Sequence, residues 1–502
     1  MKDADLKHLK VLYQELVDLR EDIILQGNEI ISRWSENVED QDTLYSIQNL
    51  AYYMAFRKND LRALQSKLQR YGLSSLGRLE SRVIENLDTI LVSIANILAS
   101  DTSFKYPSKE SFYRGQQILE KNTDCIIGPQ PADRYSRIMV TLPTQAATDK
   151  YLIHSLIQNG TDVVRINCAH DDSVIWKKMI DNVKKANESL NKNCKIAMDI
   201  AGPKIRTNRL LTTLKDVKIN TGDLLFLTGE QYLTDFYSIP LVVDCTVPEI
   251  VKHIKVNDPV HIDDGHIKGI VEEVKPEGVV IRITHCFRQG GVRLKCERGL
   301  NFPKLDYKTD ILTEKDRADL DFVCQHADII GISFVKDNQD IQEIQDEINT
   351  RLHPKRKNDV SLMIKIETLE IIDVLPSVIL KAMTQNKICV MIARGDLAIE
   401  VGYERLSELQ EEIQWICEAA HIPVIWATQV LENLVKTGIP TRAEMSDITL
   451  GSKSECIMLN KGDYLNDAVI LLNDVLARFS KHQYKKDPKL RALGIAGNMW
   501  NN

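Results

Sequence analysis

No apolar run in this chain is long enough to span a membrane, and the opening Met-Lys-Asp-Ala-Asp-Leu-Lys lacks a signal-peptide core, so the protein is expected in the cytoplasm with no membrane partner. There is no C-x-x-C pair and no histidine cluster near the ten cysteines, which are scattered from Cys125 to Cys456. That argues against a structural zinc or a disulfide framework and leaves most cysteines as reduced packing residues. Positive charge is not in excess: the net charge is −7 and the pI about 6.0, so nothing favours nucleic acid as a bulk partner. At 502 residues the chain is too long for one core and implies two to four domains.

The first 130 residues also lack any strand pattern. Leu9, Leu12, Leu16, Leu19 and Ile23 draw a stripe along one helix, with Gly27 just beyond it. Further helices are expected at 44–58, at 60–71 with Asp60 as N-cap, and at 78–99. Residues 1–130 therefore read as an all-helical domain, joined to the rest through the polar, proline-containing stretch Gly128 to Asp133. The turn from Arg70 to Arg78 reads as a tight bundle corner, with an anion-binding corner as the alternative.

From Arg137 onward, strand-like and helix-like segments alternate, the rhythm of a parallel α/β barrel. The rhythm breaks between 208 and 298, where short β-rich runs are separated by turns such as Gly222-Asp223, Asn257-Asp258-Pro259 and Pro276-Glu277-Gly278. The expected architecture is a (β/α)8 barrel over 137–207 and 299–481, a small inserted β-domain over 208–298 after the third strand, and a polar tail over 482–502.

Two short apolar strands end abruptly in charge: Met363-Ile-Lys365-Ile-Glu367-Thr368, and Val390-Met-Ile-Ala-Arg394-Gly395-Asp396. A helix and turn fit between them, so the strands lie side by side and parallel. In such barrels the C-terminal strand ends open onto the pocket, which would bring Lys365, Glu367 and Asp396 together there. Two carboxylates suit a hard divalent cation such as Mg²⁺ (or Mn²⁺) that leaves positions open for substrate oxygens, and a lysine adds positive charge. The combination favours phosphoryl or enolate chemistry. The plainer alternative is that the carboxylates cap helices or pair with nearby lysines.

Lys365-Ile-Glu367, Ala393-Arg394-Gly395-Asp396-Leu397, Ala427-Thr428-Gln429 and Pro440-Thr441-Arg442-Ala443-Glu444 together resemble the pyruvate kinase family in order and spacing, a likeness running from about Arg137 to about Lys481. The resemblance implies transfer of the phosphoryl group of phosphoenolpyruvate to ADP, giving pyruvate and ATP. Glu367 and Asp396 would hold the divalent metal. Lys365 would stand beside the transferring group, Arg165 would grip it, and Thr428 would sit near the enolate carbon. Ser333 and Gly395 would complete the substrate site, Gly395 by letting the backbone approach the substrate carboxylate. Arg206, Arg298, His170 and Asp264 match nucleotide-site positions, the last on an inserted domain that closes as a lid. Asn167, Asp199 and Lys204 mark what remains of a monovalent-cation site, and a homo-oligomer is expected.

The departures carry information too. Pro143 lacks the glycine that the family places before it, Ala169 replaces a serine, and Asn460-Lys461-Gly462-Asp463 replaces a Ser-Gly-Glu-Thr run. Lys204 stands where the potassium-dependent form has glutamate. Exchanging an anion for a cation alters the local charge by two units, so the enzyme is expected not to require K⁺; a Lys204 turned out to solvent is the alternative. After about Lys481 there is no counterpart of the large C-terminal domain of most family members. Two other readings remain open: a metal-dependent aldolase or lyase of pyruvate-like acids, which ADP binding would discriminate, and a non-catalytic ligand sensor acting through the helical domain.

Overall fold

The computed structural model describes residues 3–489 except 37, 216–217, 235, 289, 304, 306 and 308. Five helices come first: α1 (Asp3–Trp34), α2 (Gln41–Arg57), α3 (Arg62–Arg70), α4 (Val83–Leu98) and α5 (Lys109–Ile126). Asp40 caps α2 by accepting the Thr43 N–H at 2.8 Å, and Ser108 caps α5 through Ser111. Two details differ from the sequence reading. Gly27 lies inside α1, because an added Cβ there would come within 2.4 Å of the Tyr52 ring, so the glycine marks a close helix contact rather than a helix end. Asp60 does not occupy the N-cap of α3; it pairs instead with Arg62 at 2.6 Å, and Leu61 takes the cap position.

Eight parallel strands then close a barrel: β1 (Arg137–Thr141), β2 (Val163–Asn167), β3 (Lys195–Asp199), β4 (Ile329–Ile332), β5 (Ser361–Ile366), β6 (Ile388–Ala393), β7 (Val424–Ala427) and β8 (Cys456–Leu459). Each pairs with its neighbour in sequence, and β8 returns to β1 with Arg137 opposite Cys456. All are buried along nearly their whole length, which explains why they read as unbroken apolar runs rather than alternating ones. The helix predicted between the two acidic motifs is Glu370–Met383.

Between β3 and β4 the chain builds a separate seven-stranded sheet, from Thr207–Thr212 to Leu300–Asn301, with its own core of Leu225, Leu227, Val243, Val260, Val279 and Ile281. Gly222 and Asn257 adopt positive φ at its turns. An antiparallel bridge between Arg206 and Gly299 ties the outgoing and returning connections at its root.

The helical domain closes the end of the barrel where the strands begin. Ile126 and Ile127, at the end of α5, pack in one cluster with Met139, Val163, Met363, Met391 and Met458 from the barrel interior. Around them, Asn49 donates to the Ala419 carbonyl at 2.8 Å, Ser46 bonds His421 Nδ1 at 2.8 Å, and Asn122 donates to the His421 carbonyl at 2.9 Å. The segment expected to be a plain tail contributes as well. Residues 483–488 form a small hairpin whose buried Lys485 pairs with Glu455 at 2.6 Å, while Lys486 pairs with Glu80 of the helical domain. The rest of that tail, 490–502, lies outside the described residues.

Glu455 is wholly buried and also accepts from the Tyr135 hydroxyl and the Val424 N–H, at 2.9 and 2.8 Å. Burial alone would depress the Lys485 ammonium, but Glu455 and Glu418 outweigh it and hold its pKa above the ordinary lysine value. Lys485→Met would strand buried carboxylate charge and is expected to cost about 3–5 kcal/mol. Chemical denaturation followed by circular dichroism checks this, and an unchanged midpoint would refute it.

Candidate active site

A cavity of about 280 Å³ opens at the C-terminal ends of the barrel strands, between the barrel and the lid. Lys365 enters it from β5, its ammonium 2.8 Å from Ser333 Oγ, 2.8 Å from Glu367 Oε1 and 3.8 Å from Asp199 Oδ2. Arg165 enters from β2, with Nε on Asp199 Oδ2 at 2.7 Å and Nη1 on Thr141 Oγ1 at 3.1 Å. Positive and negative groups thus alternate from Arg165 through Asp199 and Lys365 to Glu367. All four are buried, at 8, 0, 8 and 3 % exposure, so each depends on the next for charge compensation.

Backbone features hold these groups in place. Glycine is required at Gly331 in β4, because a Cβ there would lie 2.2 Å from Asp199 Oδ1. Phe334 takes φ +62°, and its N–H donates to Glu367 Oε2 at 2.9 Å. Thr428 also has φ +62°, unusual for a β-branched residue. Its hydroxyl accepts the Gly395 N–H at 2.8 Å. From behind, Arg394 donates to the carbonyls of Ala427 (3.0 Å) and Thr428 (2.6 Å), pairs with Asp447, and lies over the Trp426 ring. The motif residues Thr441 and Glu444 form a capping box on the helix Arg442–Gly451 that carries Asp447, so that part of the family pattern builds the scaffold.

Asp396 follows β6 and accepts a 2.6 Å ion pair from Lys204, which also lies 3.6 Å from Asp264 of the lid. The Lys204 side chain is only 15 % exposed and so does not point to solvent. Burial would lower its pKa, but Asp396, Asp264 and Glu367 together raise it above the ordinary lysine value. Asn167, His170 and Arg206 also line the cavity. The His170 pKa is lowered, first by burial and then by the cations Lys461 and Arg206. Three of the residues singled out from sequence are not on the cavity wall, the first being Asp199, which is fully buried between Arg165 and Lys365. Arg298 pairs with Asp263 inside the lid at 3.0 Å, and Gly395 contributes its N–H to Thr428. A Cβ at Gly395 would meet nothing nearer than Thr428 at 3.7 Å, so the unliganded backbone does not itself demand glycine there.

Of the altered run Asn460 to Asp463 after β8, which the sequence sets at the pocket rim, Asn460 and Lys461 line the cavity. Sequence reasoning missed the support that Arg394 and Asp447 give the Thr428 loop, which no local pattern announces.

Among the described residues no cluster of three or more His, Cys, Asp or Glu side chains could hold a metal unaided. Glu367 and Asp396 nonetheless offer hard oxygen donors on adjacent strand ends facing one cavity, which fits a divalent cation whose remaining positions are filled by substrate oxygens.

Fold and pocket together define a (β/α)8-barrel protein with a β-domain inserted after the third strand and an acid–lysine pocket at the strand ends. A family model described as the pyruvate kinase barrel domain matches residues 125–469, and the chain belongs to the pyruvate kinase family. It is 30% identical to pyruvate kinase 2 of Synechocystis sp. over 365 residues, which cover 70% of this chain and 58% of that protein. It is 28% identical to the pyruvate kinase of Thermotoga maritima, covering 70% and 72%. A crystal structure of a pyruvate kinase from Cryptosporidium parvum superposes with a TM-score of 0.61 at 27% identity, covering 71% of this chain and 72% of that one. The chain spans 58%, 62% and 64% of the length of three of its curated relatives.

The Arg394–Asp447 side chains are only 10 and 21 % exposed, and Arg394→Met would leave the Asp447 carboxylate without its partner. The expected loss of stability is about 3 kcal/mol, much of it recovered when Asp447→Leu is added. Denaturation midpoints of the two variants test this; an Arg394→Met protein as stable as the unmodified chain would contradict the supporting role.

Proposed function

We propose that this protein moves the phosphoryl group of phosphoenolpyruvate to ADP, giving pyruvate and ATP, with Mg²⁺ or Mn²⁺ and without a need for K⁺. The observation that carries the reading is the convergence of Lys365, Arg165, Ser333, Glu367, Asp396 and Thr428 on one cavity beneath a lid. The divalent cation, held by Glu367 and Asp396, would neutralise phosphoryl and enolate oxygens. Arg165 offers forked donors to the phosphoryl oxygens. The bond from phosphorus to the enol oxygen breaks as one forms to the terminal oxygen of ADP, leaving an enolate. Lys365, fixed by Ser333 and Glu367, presents its ammonium where that negative charge develops, so its effect is greatest in the transition state. The enolate then takes a proton at its terminal carbon, on the side where the Thr428 hydroxyl can order a relay. Arg206, His170 and Asp264 line the same cavity and would meet the nucleotide, and lid closure would keep water from the phosphoryl group.

Lys365→Met removes the partner of the buried Glu367 and should lower stability by about 3 kcal/mol, and the folded variant should lose turnover by a factor of about 100 or more, the equivalent of about 3 kcal/mol of barrier. A coupled assay of pyruvate release from phosphoenolpyruvate, with and without ADP and Mg²⁺, reads this directly. Near-normal turnover in the folded variant would refute the role, and ADP-independent release would point to a lyase.

Potassium independence is supported by the buried Lys204 ammonium beside Asp396 and by Ala169, which has no side-chain oxygen to offer an ion. Activity without Na⁺ or K⁺, at constant ionic strength maintained by an organic cation, should match that in K⁺, and Lys204→Glu should lower it. A strong rise on adding K⁺ to the unmodified protein would overturn this part of the reading.

A further inference from the structure

Three parts of the molecule meet at one ammonium group. Lys204 belongs to the connection leaving β3; its partner Asp396 follows β6 of the barrel, and Asp264 sits on the lid in a turn where Asp263, Asp264 and Gly265 all have positive φ. The returning connection packs against the same side chain, since a Cβ at Gly299 would lie 2.8 Å from Lys204 Cε. Lys204 is therefore held between the two hinge segments, with one carboxylate at 2.6 Å and a second at 3.6 Å.

We propose that Lys204 competes with the divalent cation for Asp396, and that Asp264 receives the lysine when the cation displaces it. The inference rests on the assignment of Glu367 and Asp396 as the metal carboxylates. An ammonium at 2.6 Å occupies one lone pair of Asp396 Oδ1, and its charge repels a second cation approaching the same carboxylate, so metal entry favours moving the lysine away. Leaving a displaced ammonium unpaired in a site this enclosed would be costly. Asp264 removes that cost, being already within 3.6 Å and itself 63 % exposed. Lys365 cannot play the same part, because Ser333, Glu367 and Asp199 hold it from three sides. By linkage, whatever strengthens the contact between Lys204 and Asp264 also strengthens metal binding, and a bound metal draws the lid toward the barrel.

The test is Mn²⁺ titration of the full chain without phosphoenolpyruvate or nucleotide, with free Mn²⁺ read from its electron paramagnetic resonance signal. Lys204→Met keeps the packing stem and removes the competing charge, so it should bind Mn²⁺ about tenfold more tightly than the unmodified protein. Asp264→Asn leaves the lysine nowhere else to pair, so it should bind about threefold more weakly. The double variant should match Lys204→Met, since without the lysine Asp264 has nothing to receive. Binding by Lys204→Met no tighter than that of the unmodified protein overturns the competition, and an Asp264→Asn protein indistinguishable from the unmodified one overturns the transfer to the lid. Absence of Mn²⁺ binding in every variant would overturn the proposal together with the metal assignment beneath it. The predicted order of affinities in a protein that makes no pyruvate would uphold the proposal while refuting the phosphotransfer reading.

Discussion

The carboxylate of Asp199 stands between Arg165 and Lys365, and the arrangement of the pocket depends on that contact. Both cations come from strand interiors at the top of the barrel, where few waters could stabilise them, and one fully buried anion serves both. The geometry around Asp199 is correspondingly tight: β4 must pass without a side chain at Gly331 to leave it room. Fixing Asp199 fixes Lys365, and Lys365 in turn fixes Glu367, whose other oxygen is held by the Phe334 N–H. A ligand entering this cavity finds its charges already oriented and has little reorganisation to impose.

Strain in the backbone is found beside these charges. Phe334 and Thr428 both occupy left-handed conformations at the ends of barrel strands, and each is stabilised by a polar contact made with a neighbouring strand segment. For Thr428 the support is double, from Gly395 in front and Arg394 behind, so that a hydroxyl on an unfavourable backbone is nonetheless held in one place. The same local principle gives the lid its turn at Asp263 and Asp264, where two successive left-handed residues turn a carboxylate toward Lys204.

How much of this could be read from residues alone varied with how local the cause was. The eight strands were legible because burial on both faces makes each an unbroken apolar run, and the acidic ends of β5 and β6 stood out against that background. The inserted sheet was legible from its turn residues. Lys204 was noticed for its charge, but its bond to Asp396 spans 192 positions and depends on how the hinge folds back, which no spacing encodes. The support of the Thr428 loop by Arg394 and Asp447 escaped notice for the same reason. Gly27 falls outside the apolar stripe of α1, and its role as a contact point appears only once the Tyr52 ring of α2 is placed against it. The tail was read as plain because Lys485 looks like any surface lysine until Glu455 and Glu418 are placed around it.

The plug formed by Ile126 and Ile127 bears on the order in which the molecule can be assembled. During synthesis the five helices emerge before the barrel, and α5 ends in two apolar residues whose partners are the inward-facing side chains of strands still to be made. β8 comes more than three hundred positions later, and the contact between Glu80 and Lys486 joins residues 406 positions apart. The nascent helical region must therefore carry its sticky end exposed until β8 has been made. Pairings so distant along the chain make for slow closure, and in that interval the bare isoleucine pair is apolar surface open to association.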